Sequence, residues 1–179
     1  MHSLHVMILV SEALVMLFEL RFLLQSSSAD YYHPFTQAVL KLTNPLVRIP
    51  PLPSLHVGRY YVAGLVVAWI IALAFWQIIS LTLGLATRDA IILGALMPLK
   101  VFGYLLFFLL IVQALTSWLP STRSISILMY QITYPIVAPV QKVIPPIGMI
   151  DISLMIIIFV LYAVNGLCYK VFGVYWYSL

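Results

Sequence analysis

Six polar side chains lie inside long apolar stretches of this sequence, where they could either bond helices together or line a path for an ion or a proton. They are Glu12, Glu19, Gln77, Lys100, Gln113 and Asn165. Charged and amide groups are costly in hydrocarbon, so they face a protein interior or an aqueous cavity there. We predict an outer polar layer of Glu12, Gln77, Lys100 and Asn165, with Glu19 and Gln113 deeper.

Glu12 and Glu19 are seven residues apart, so a helix would place them on one face, about 10.5 Å apart along its axis. Arg21 follows two residues later and lies on nearly the opposite face. We expect Arg21 to extend to the membrane surface or to meet another helix. An ion path would need a continuous polar stripe, which the sequence lacks. We therefore favour interhelical hydrogen bonding and keep the path as the alternative.

No pattern in the sequence pairs a nucleophile with a base, cradles a phosphate or provides zinc ligands. The single cysteine, Cys168, lies in an apolar segment and allows no internal disulfide. His2 and His5 lie near one end, and His33 and His56 lie in a polar loop. None has the carboxylate or cysteine neighbours that a metal site needs. We predict no enzymatic activity, no cofactor and no metal.

The composition indicates a membrane protein. Hydrophobic residues make up 64% of the chain and charged residues only 8%, whereas soluble domains carry about 25% charged residues. A soluble fold of 179 residues could not hide so much apolar surface. The nine Lys and Arg residues form no dense basic face, which excludes a nucleic-acid partner. The length suggests a single membrane domain, 1–179.

Four segments are long and apolar enough to cross the ~30 Å hydrocarbon core as helices. They are residues 4–25, 61–83, 99–119 and 152–172. Pro98 precedes the third segment and is predicted to separate it from a short apolar stretch, because proline suits a first helical turn. Asp151 directly precedes the fourth and is well placed to cap its free N–H groups.

Positively charged residues are concentrated on one side of these segments. Six of the nine lie in or beside the two long loops, residues 26–60 and 120–150: Arg21, Lys41, Arg48, Arg59, Arg123 and Lys142. The other side holds Arg88, Lys100 and Lys170. Because positively charged loops remain in the cytoplasm, we predict both long loops inside and both termini outside.

The two long loops resemble each other at an offset of 90 residues. Residues 43–47, Thr-Asn-Pro-Leu-Val, match residues 133–137, Thr-Tyr-Pro-Ile-Val. The apolar positions just before them have the spacing of one helix face: Phe35, Ala38, Val39 and Leu42, and Ile125, Leu128, Met129 and Ile132. We predict in each loop an amphipathic helix of about ten residues, ended by an X-Pro pair. It would lie in the membrane interface or, alternatively, cap the bundle.

The predicted fold is therefore an all-α membrane protein of about four transmembrane helices in two parallel repeats. Repeat one covers about residues 4–83, and repeat two about residues 99–172. Each repeat contains span, amphipathic interfacial helix, proline-rich turn and span. Parallel repeats of this kind are related by an axis along the membrane normal.

Motifs in both halves carry a resemblance to a known family. In the first half they are Arg21, His33-Pro34-Phe35 and Thr43-Asn44-Pro45. In the second half they are Leu99-Lys100-x-x-Gly103, Ser117-Trp118, Pro135-x-x-x-Pro139, residues 142–151 (Lys-Val-Ile-Pro-Pro-Ile-Gly-Met-Ile-Asp) and Tyr162-x-x-Asn165. In order and spacing the chain resembles the YggT family, also called YlmG, of bacterial membrane proteins with plastid relatives. The first half has Arg48-Ile49-Pro50-Pro51 but lacks the Gly-x-x-Asp that follows in the second.

The resemblance implies an integral membrane protein without known catalytic activity. Members of the family are linked to osmotic-stress tolerance and potassium uptake, to division and envelope organisation, and in plastids to cytochrome b maturation. We expect a membrane organiser or interaction protein in the bacterial cytoplasmic (inner) membrane. Its partners would be the lipid bilayer and other membrane proteins or further copies of itself. The alternatives are a small channel or accessory component for potassium uptake and, third, an assembly factor for membrane cytochromes.

Overall fold

The computed structural model describes residues 2–27, 29–50, 52–58, 60–117, 123–144 and 152–179. The helices are α1 His2–Ser26, α2 Pro34–Val47, α3 Ala63–Leu83, α4 Thr87–Ser117, α5 Arg123–Val143, α6 Ile152–Phe172 and α7 Val174–Ser178. A 3₁₀ turn, Leu52–Ser54, and a small antiparallel hairpin of β1 His56–Val57 and β2 Tyr60–Tyr61 connect α2 to α3. The prediction of a helical protein is confirmed.

Within the part of the chain that the structure describes, three helices are long and apolar enough to cross a membrane: α3, α4 and α6. The predicted bounds of the second and fourth spans agree with α3 and α6 within two residues. The 25-residue helix α1 covers the first predicted span but is not among the three. It differs from them in carrying Glu12, Glu19 and Arg21.

The prediction that Pro98 separates two segments is wrong, because α4 continues through Pro98 for 31 residues. An internal proline costs one helical hydrogen bond and a clash with the preceding turn, about 3 kcal/mol. Around it, Leu93, Met97 and Val101 are buried in the same cluster, and their packing offsets that cost. At 1.5 Å per residue α4 is about 46 Å long.

Helices α1 and α4 run in the same direction. Val15 of α1 packs in one cluster with Val101 of α4, and Leu24, further along α1, packs in a second cluster with Leu109 of α4. Helix α6 runs the opposite way, because Leu154 at its start packs with Leu110, near the end of α4. Parallel α1 and α4 agree with the direction that the predicted repeats require.

The bundle has two ends that differ in structure. At the loop end, α1 and α4 finish and α2 and α5 follow; α2 packs on α1 and α3, and α5 packs on α4 and α6. At the opposite end of the bundle, a tight turn joins α3 to α4, with Gly84 in the left-handed conformation, φ 67°, as the C-cap of α3. Helix α7 packs on α4 and α6.

The amphipathic helices are longer than predicted, and their X-Pro pairs do not end them. Helix α2 has 14 residues and includes Pro45, and α5 has 21 residues and includes Pro135 and Pro139. Pro45 lies in the last turn of α2, so it interrupts little of the helix. Within α5, Ile132, Thr133 and Val137 remain buried on both sides of Pro135. Tertiary packing therefore holds the chain helical where the local rule predicts a stop.

Two glycines bring helix backbones into close contact. A Cβ added to Gly64 of α3 would lie 2.7 Å from the backbone oxygen of Phe18 in α1. A Cβ added to Gly94 of α4 would lie 2.9 Å from the Cα of Leu73 in α3. Small residues at such positions allow helices to pack closely where no hydrophobic force drives association. Both contacts tie α3 to its neighbours.

We predict that Gly64→Ala destabilises the folded protein by about 1–3 kcal/mol, the usual cost of overpacking, because the new methyl group would collide with backbone atoms. The measurement is the free energy of unfolding in mixed detergent micelles. Gly103→Ala in α4 is the matched control, because a Cβ there meets no atom within 4 Å. A loss at position 64 no larger than at position 103 would show that this contact is not tight.

Candidate functional site

A buried lysine forms the centre of the candidate site. Lys100 lies on α4, and only 5% of its surface is exposed. Its ammonium group donates a 2.9 Å hydrogen bond to the backbone oxygen of Trp176 in α7. Glu12 of α1 lies close enough for the two opposite charges to attract. The ammonium is thus held by groups from two other helices.

Three aromatic rings surround this ammonium. The distances from Lys100 Nζ to the ring centroids are 5.8 Å for Tyr104, 5.9 Å for Tyr169 and 5.9 Å for Trp176. Rings within about 6 Å of a cation attract it through their negative faces. They come from α4, α6 and α7, so the cation joins the three helices.

Helix α7 is fastened by further hydrogen bonds. Trp176 Nε1 donates to Asn165 Oδ1 in α6 at 2.9 Å, and the indole stacks on Phe172. The Tyr175 hydroxyl donates to the Asp89 carboxylate at the start of α4 at 2.8 Å. That hydrogen bond raises the pKa of the Tyr175 hydroxyl, so the hydroxyl stays protonated and the bond persists at neutral pH.

The structure brings together three of the four residues predicted for the outer polar layer. Lys100 and Asn165 both bond to Trp176, and Glu12 is near enough to Lys100 for the two charges to attract. Gln77 is half-buried on α3 and lies apart from them. Since Ala72 of α3 faces Gly94 of α4, Gln77 is about 16 Å from Lys100 along the bundle axis at 1.5 Å per residue.

Sequence reasoning missed the aromatic part of this site. Tyr104, Tyr169 and Trp176 resemble the tyrosines and tryptophans that are common at membrane interfaces, and nothing in the spacing assigns them to a lysine. The one available signal was Gly173, which allows the chain to turn after α6 with φ 53°. That turn brings Trp176 back toward α4.

The two deeper polar residues have different surroundings. Gln113 of α4 is buried, and its Oε1 accepts a hydrogen bond from the Thr133 hydroxyl in α5. Glu19 is 1% exposed, and its Oε2 has no hydrogen-bond partner among the described residues. Only Gln113 therefore joins two helices through a hydrogen bond seen here.

Arg21 meets another helix, one of the two possibilities expected for it. The side chain is 5% exposed. Its Nη1 donates to Thr43 Oγ1 at 2.7 Å, to Asn44 Oδ1 at 2.9 Å and to the backbone oxygen of Leu40 at 3.3 Å. All three acceptors belong to α2, so Arg21 fixes α2 to the end of α1.

Thr43 and Thr133 make equivalent contacts 90 residues apart. Each bonds to a polar side chain of the preceding long helix, Arg21 for Thr43 and Gln113 for Thr133. Thr43 accepts from Arg21 and donates to the backbone oxygen of Val39 at 2.7 Å, whereas the single hydroxyl proton of Thr133 is shared between Gln113 Oε1 and the backbone oxygen of Met129, 2.9 Å away. In both α2 and α5, the threonine of the matched sequence therefore joins its helix to the long helix that precedes it.

The other predicted basic residues lie exposed at the loop end. They are Lys41 and Arg48 on and beside α2, and Arg123 and Lys142 at the two ends of α5. The proposed cap Asp151, and the motif from residue 145 to it, lie outside the described residues.

Apolar helices of membrane-spanning length, packed around buried charges, indicate a helical membrane protein. The CCB3/YggT family profile matches residues 92–172, from within α4 to the end of α6. The chain is also 35% identical over 162 residues to the uncharacterized protein YggT of Escherichia coli K12, covering 87% of this chain and 83% of that protein. The chain belongs to the CCB3/YggT family, which confirms the resemblance seen in its motifs.

Other relatives extend the likeness over nearly the whole chain. An uncharacterized protein in the proC 3′ region of Vibrio alginolyticus is 32% identical over 174 residues, covering 92% of each chain. An uncharacterized protein of Haemophilus influenzae is 31% identical over 160 residues, covering 88% of this chain and 86% of its own length. No solved structure matches.

We predict that Thr43→Val loosens α2, because it removes the shortest hydrogen bond to the Arg21 guanidinium; bonds to charged groups contribute about 1.5–3 kcal/mol. Hydrogen–deuterium exchange of residues 34–47 should become faster. Thr36→Val is the matched control, since Thr36 is buried on the same helix and its hydroxyl has no partner among the described residues. Equal exchange in the two variants would count against the anchor.

We also predict energetic coupling between Glu12 and Lys100. Glu12→Gln and Lys100→Met should each destabilise the protein, because each removes the attraction between the two opposite charges. The double variant should lose less than the two losses combined, by about 0.5–3 kcal/mol. The free energy of unfolding in micelles measures this coupling. The control pair combines Glu12→Gln with Arg88→Met, which removes an exposed charge on the same helix as Lys100. A coupling free energy between Glu12 and Lys100 no greater than that between Glu12 and Arg88 would contradict the interaction.

Proposed function

We propose that this chain is a non-enzymatic membrane organiser of the bacterial cytoplasmic (inner) membrane, with α1 as its fourth membrane span. The outward face of α1 is apolar: Val6, Leu9 and Val10 are each more than half exposed. Its charged residues are instead turned toward the bundle, with Glu19 and Arg21 buried. A helix with an apolar outer face and charges inside suits a lipid environment.

The proposed orientation puts the loop end in the cytoplasm. Lys41, Arg48, Arg123 and Lys142 are exposed there, and Arg21 is buried beneath α2. Positively charged loops remain on the cytoplasmic side. With α1 as a span, both ends of the described chain lie outside.

The two halves are proposed to be parallel repeats. Three pairs of residues 90 apart are buried in both α2 and α5: Val39 and Met129, Thr43 and Thr133, Val47 and Val137. The region matched by the family profile, 92–172, corresponds to most of one unit of α4, α5 and α6. Both observations support a unit that occurs twice.

The observation that carries the proposal is the three-faced surface of α2. One face packs on the bundle through Thr36, Val39, Thr43 and Val47. A second face is apolar yet exposed, with Phe35 at 40%, Leu42 at 67% and Leu46 at 45%. The third face is polar, with Gln37, Lys41 and Asn44. A helix lying in the interface has these neighbours: protein on one side, acyl chains below and water above.

This arrangement favours the interfacial helix over the alternative of a cap on the bundle. A buried cap would turn its apolar residues inward, whereas Leu42 and Leu46 remain 67% and 45% exposed. Arg21 holds α2 at a fixed position beside the spans. The basic residues on and beside it would then meet anionic headgroups, each contributing about 1 kcal/mol.

The surroundings of Lys100 favour a structural role over an ion path. Its ammonium is bonded to Trp176, attracted by Glu12 and covered by aromatic rings. Gln77 lies too far away to extend a polar stripe from this site. Exposed apolar residues on α6, such as Phe159 and Tyr162 at 70% and 75%, offer contact with lipid, with other membrane proteins or with a second copy.

We predict that Leu42→Glu weakens the function without unfolding the protein, because the side chain is 67% exposed and a charge there would oppose insertion of α2 into lipid. The measurement is recovery of growth after osmotic upshift in a bacterial strain that lacks its own copy and expresses the variant. Most of the recovery given by the wild-type chain should be lost.

Gln37→Glu on the polar face of α2 is the matched control and should support growth like the wild type. Full recovery with Leu42→Glu, at equal protein level and thermal stability, would contradict the role of α2. Potassium flux into proteoliposomes that Glu12→Gln abolishes would contradict the organiser proposal and favour a channel.

A further inference from the structure

A polar cavity opens at the loop end between the end of α1 and the outer side of α5. Its volume is about 590 Å³, within the range of small-molecule sites. Hydroxyl and amide groups line it from both helices, and Lys142 lies at its edge. Among the described side chains that line it there is no carboxylate. The cavity therefore offers hydrogen-bond donors and one positive charge.

The two amide oxygens of this cavity accept hydrogen bonds within the protein, and among the described residues no acceptor takes up the amide N–H₂ groups. Gln25 Oε1 accepts from Arg21 Nε at 3.1 Å, and Gln131 Oε1 accepts from the backbone N–H of Asp30 at 3.1 Å. Each amide thus has its N–H₂ group left to donate. The Ser26 hydroxyl is buried without a partner among the described residues, and Lys142 is exposed. Together these groups suit a phosphate.

A second part of the cavity is rich in acceptors. Pro135 and Pro139 both line it and cannot donate a backbone N–H. The carbonyl oxygens four residues earlier, those of Gln131 and Pro135, therefore lose their usual helical donors. Such carbonyl oxygens suit a ligand that carries N–H donors and positive charge.

Tyrosines place this cavity at the level of lipid headgroups. The rings of Tyr130 and Tyr134 are 5.4 Å apart on the exposed side of α5, and Tyr134 lines the cavity. Tyrosines mark the membrane–water interface. Ile127, 51% exposed, continues the same face by one turn. A molecule with its head in the cavity could lay an acyl chain along this face.

We propose that the cavity binds the headgroup of a phospholipid with a primary amine. The phosphate lies against Lys142, Ser26 and the amide groups of Gln25 and Gln131. The ammonium lies against the carbonyl oxygens released by the two prolines. A choline headgroup has no N–H to donate, and a glycerol headgroup has no positive charge, so both fill only the phosphate part. This site rests on the proposed membrane orientation, because it requires the loop end to lie at a headgroup surface.

The test is lipid binding by native mass spectrometry of the full chain released from detergent. Phosphatidylethanolamine, phosphatidylcholine and phosphatidylglycerol with identical chains are added one at a time. We expect phosphatidylethanolamine to be retained at least about tenfold more than phosphatidylcholine, a ratio that corresponds to about 1.4 kcal/mol. Equal retention of the three lipids would overturn the proposal.

Two variants separate the two parts of the cavity. Lys142→Gln should lower the retention of all three lipids, whereas Pro135→Ala restores a helical donor and should reduce phosphatidylethanolamine to the level of phosphatidylcholine. Lys41→Gln is the control, because it removes an exposed charge at the loop end outside the cavity. Unchanged retention with Lys142→Gln, or an equal loss with Lys41→Gln, would contradict the site.

A further arm distinguishes lipid from free phosphate, which shares half of the headgroup chemistry. Inorganic phosphate should leave lipid retention unchanged. If inorganic phosphate displaces all three lipids, and phosphatidylethanolamine is retained no better than the lipids without a primary amine, the site binds free phosphate instead. Failure of the proposed interfacial position of α2 is detected separately, by attaching a fluorophore to Leu42→Cys in a Cys168→Ser background. If brominated lipid quenches this fluorophore but the three lipids are retained equally, the headgroup site is contradicted and the interfacial position of α2 is not.

Discussion

The structure depends on one constraint, the lack of water as a hydrogen-bond partner inside a bilayer. The long helices bury Arg21 and Lys100 almost completely, and each finds its partners on a short helix. Arg21 bonds to α2, and Lys100 bonds to α7. The short helices are therefore placed by the charges of the long ones, and the exposed surfaces of α2 follow from where Arg21 fixes it.

Local chemistry predicted a large part of this fold. Apolar length alone located α1, α3 and α6 within two residues, because lipid accepts few other solutions. It failed at Pro98, Pro45 and Pro135, where the rule for an isolated helix predicts a stop. Burial on both sides of Pro98 and Pro135 outweighs the lost hydrogen bond, and that burial depends on neighbours that the local sequence does not contain.

The candidate site was predictable in its charges but not in its partners. Lys100 and Glu12 were recognisable because ionised groups are rare in apolar segments. Trp176 was not, since its role depends on the turn at Gly173 and on a backbone oxygen rather than on its own ring type. The buried face of α2 also differs from the apolar face that the sequence spacing predicted. Phe35 and Leu42, which were grouped with Val39 by spacing, are exposed while Val39 is buried, because Arg21 binds the threonine side of the helix.

The bond between Lys100 and Trp176 joins residues 76 positions apart. Helices α3 and α4, by contrast, are neighbours in sequence across a short turn, so they can pair as soon as both have left the ribosome. At that moment Lys100 is already among lipid or helix neighbours, and its hydrogen-bond acceptor has not been synthesised. The bundle therefore passes through a stage in which its central cation lacks this acceptor, and α7, which is synthesised after α4, supplies it.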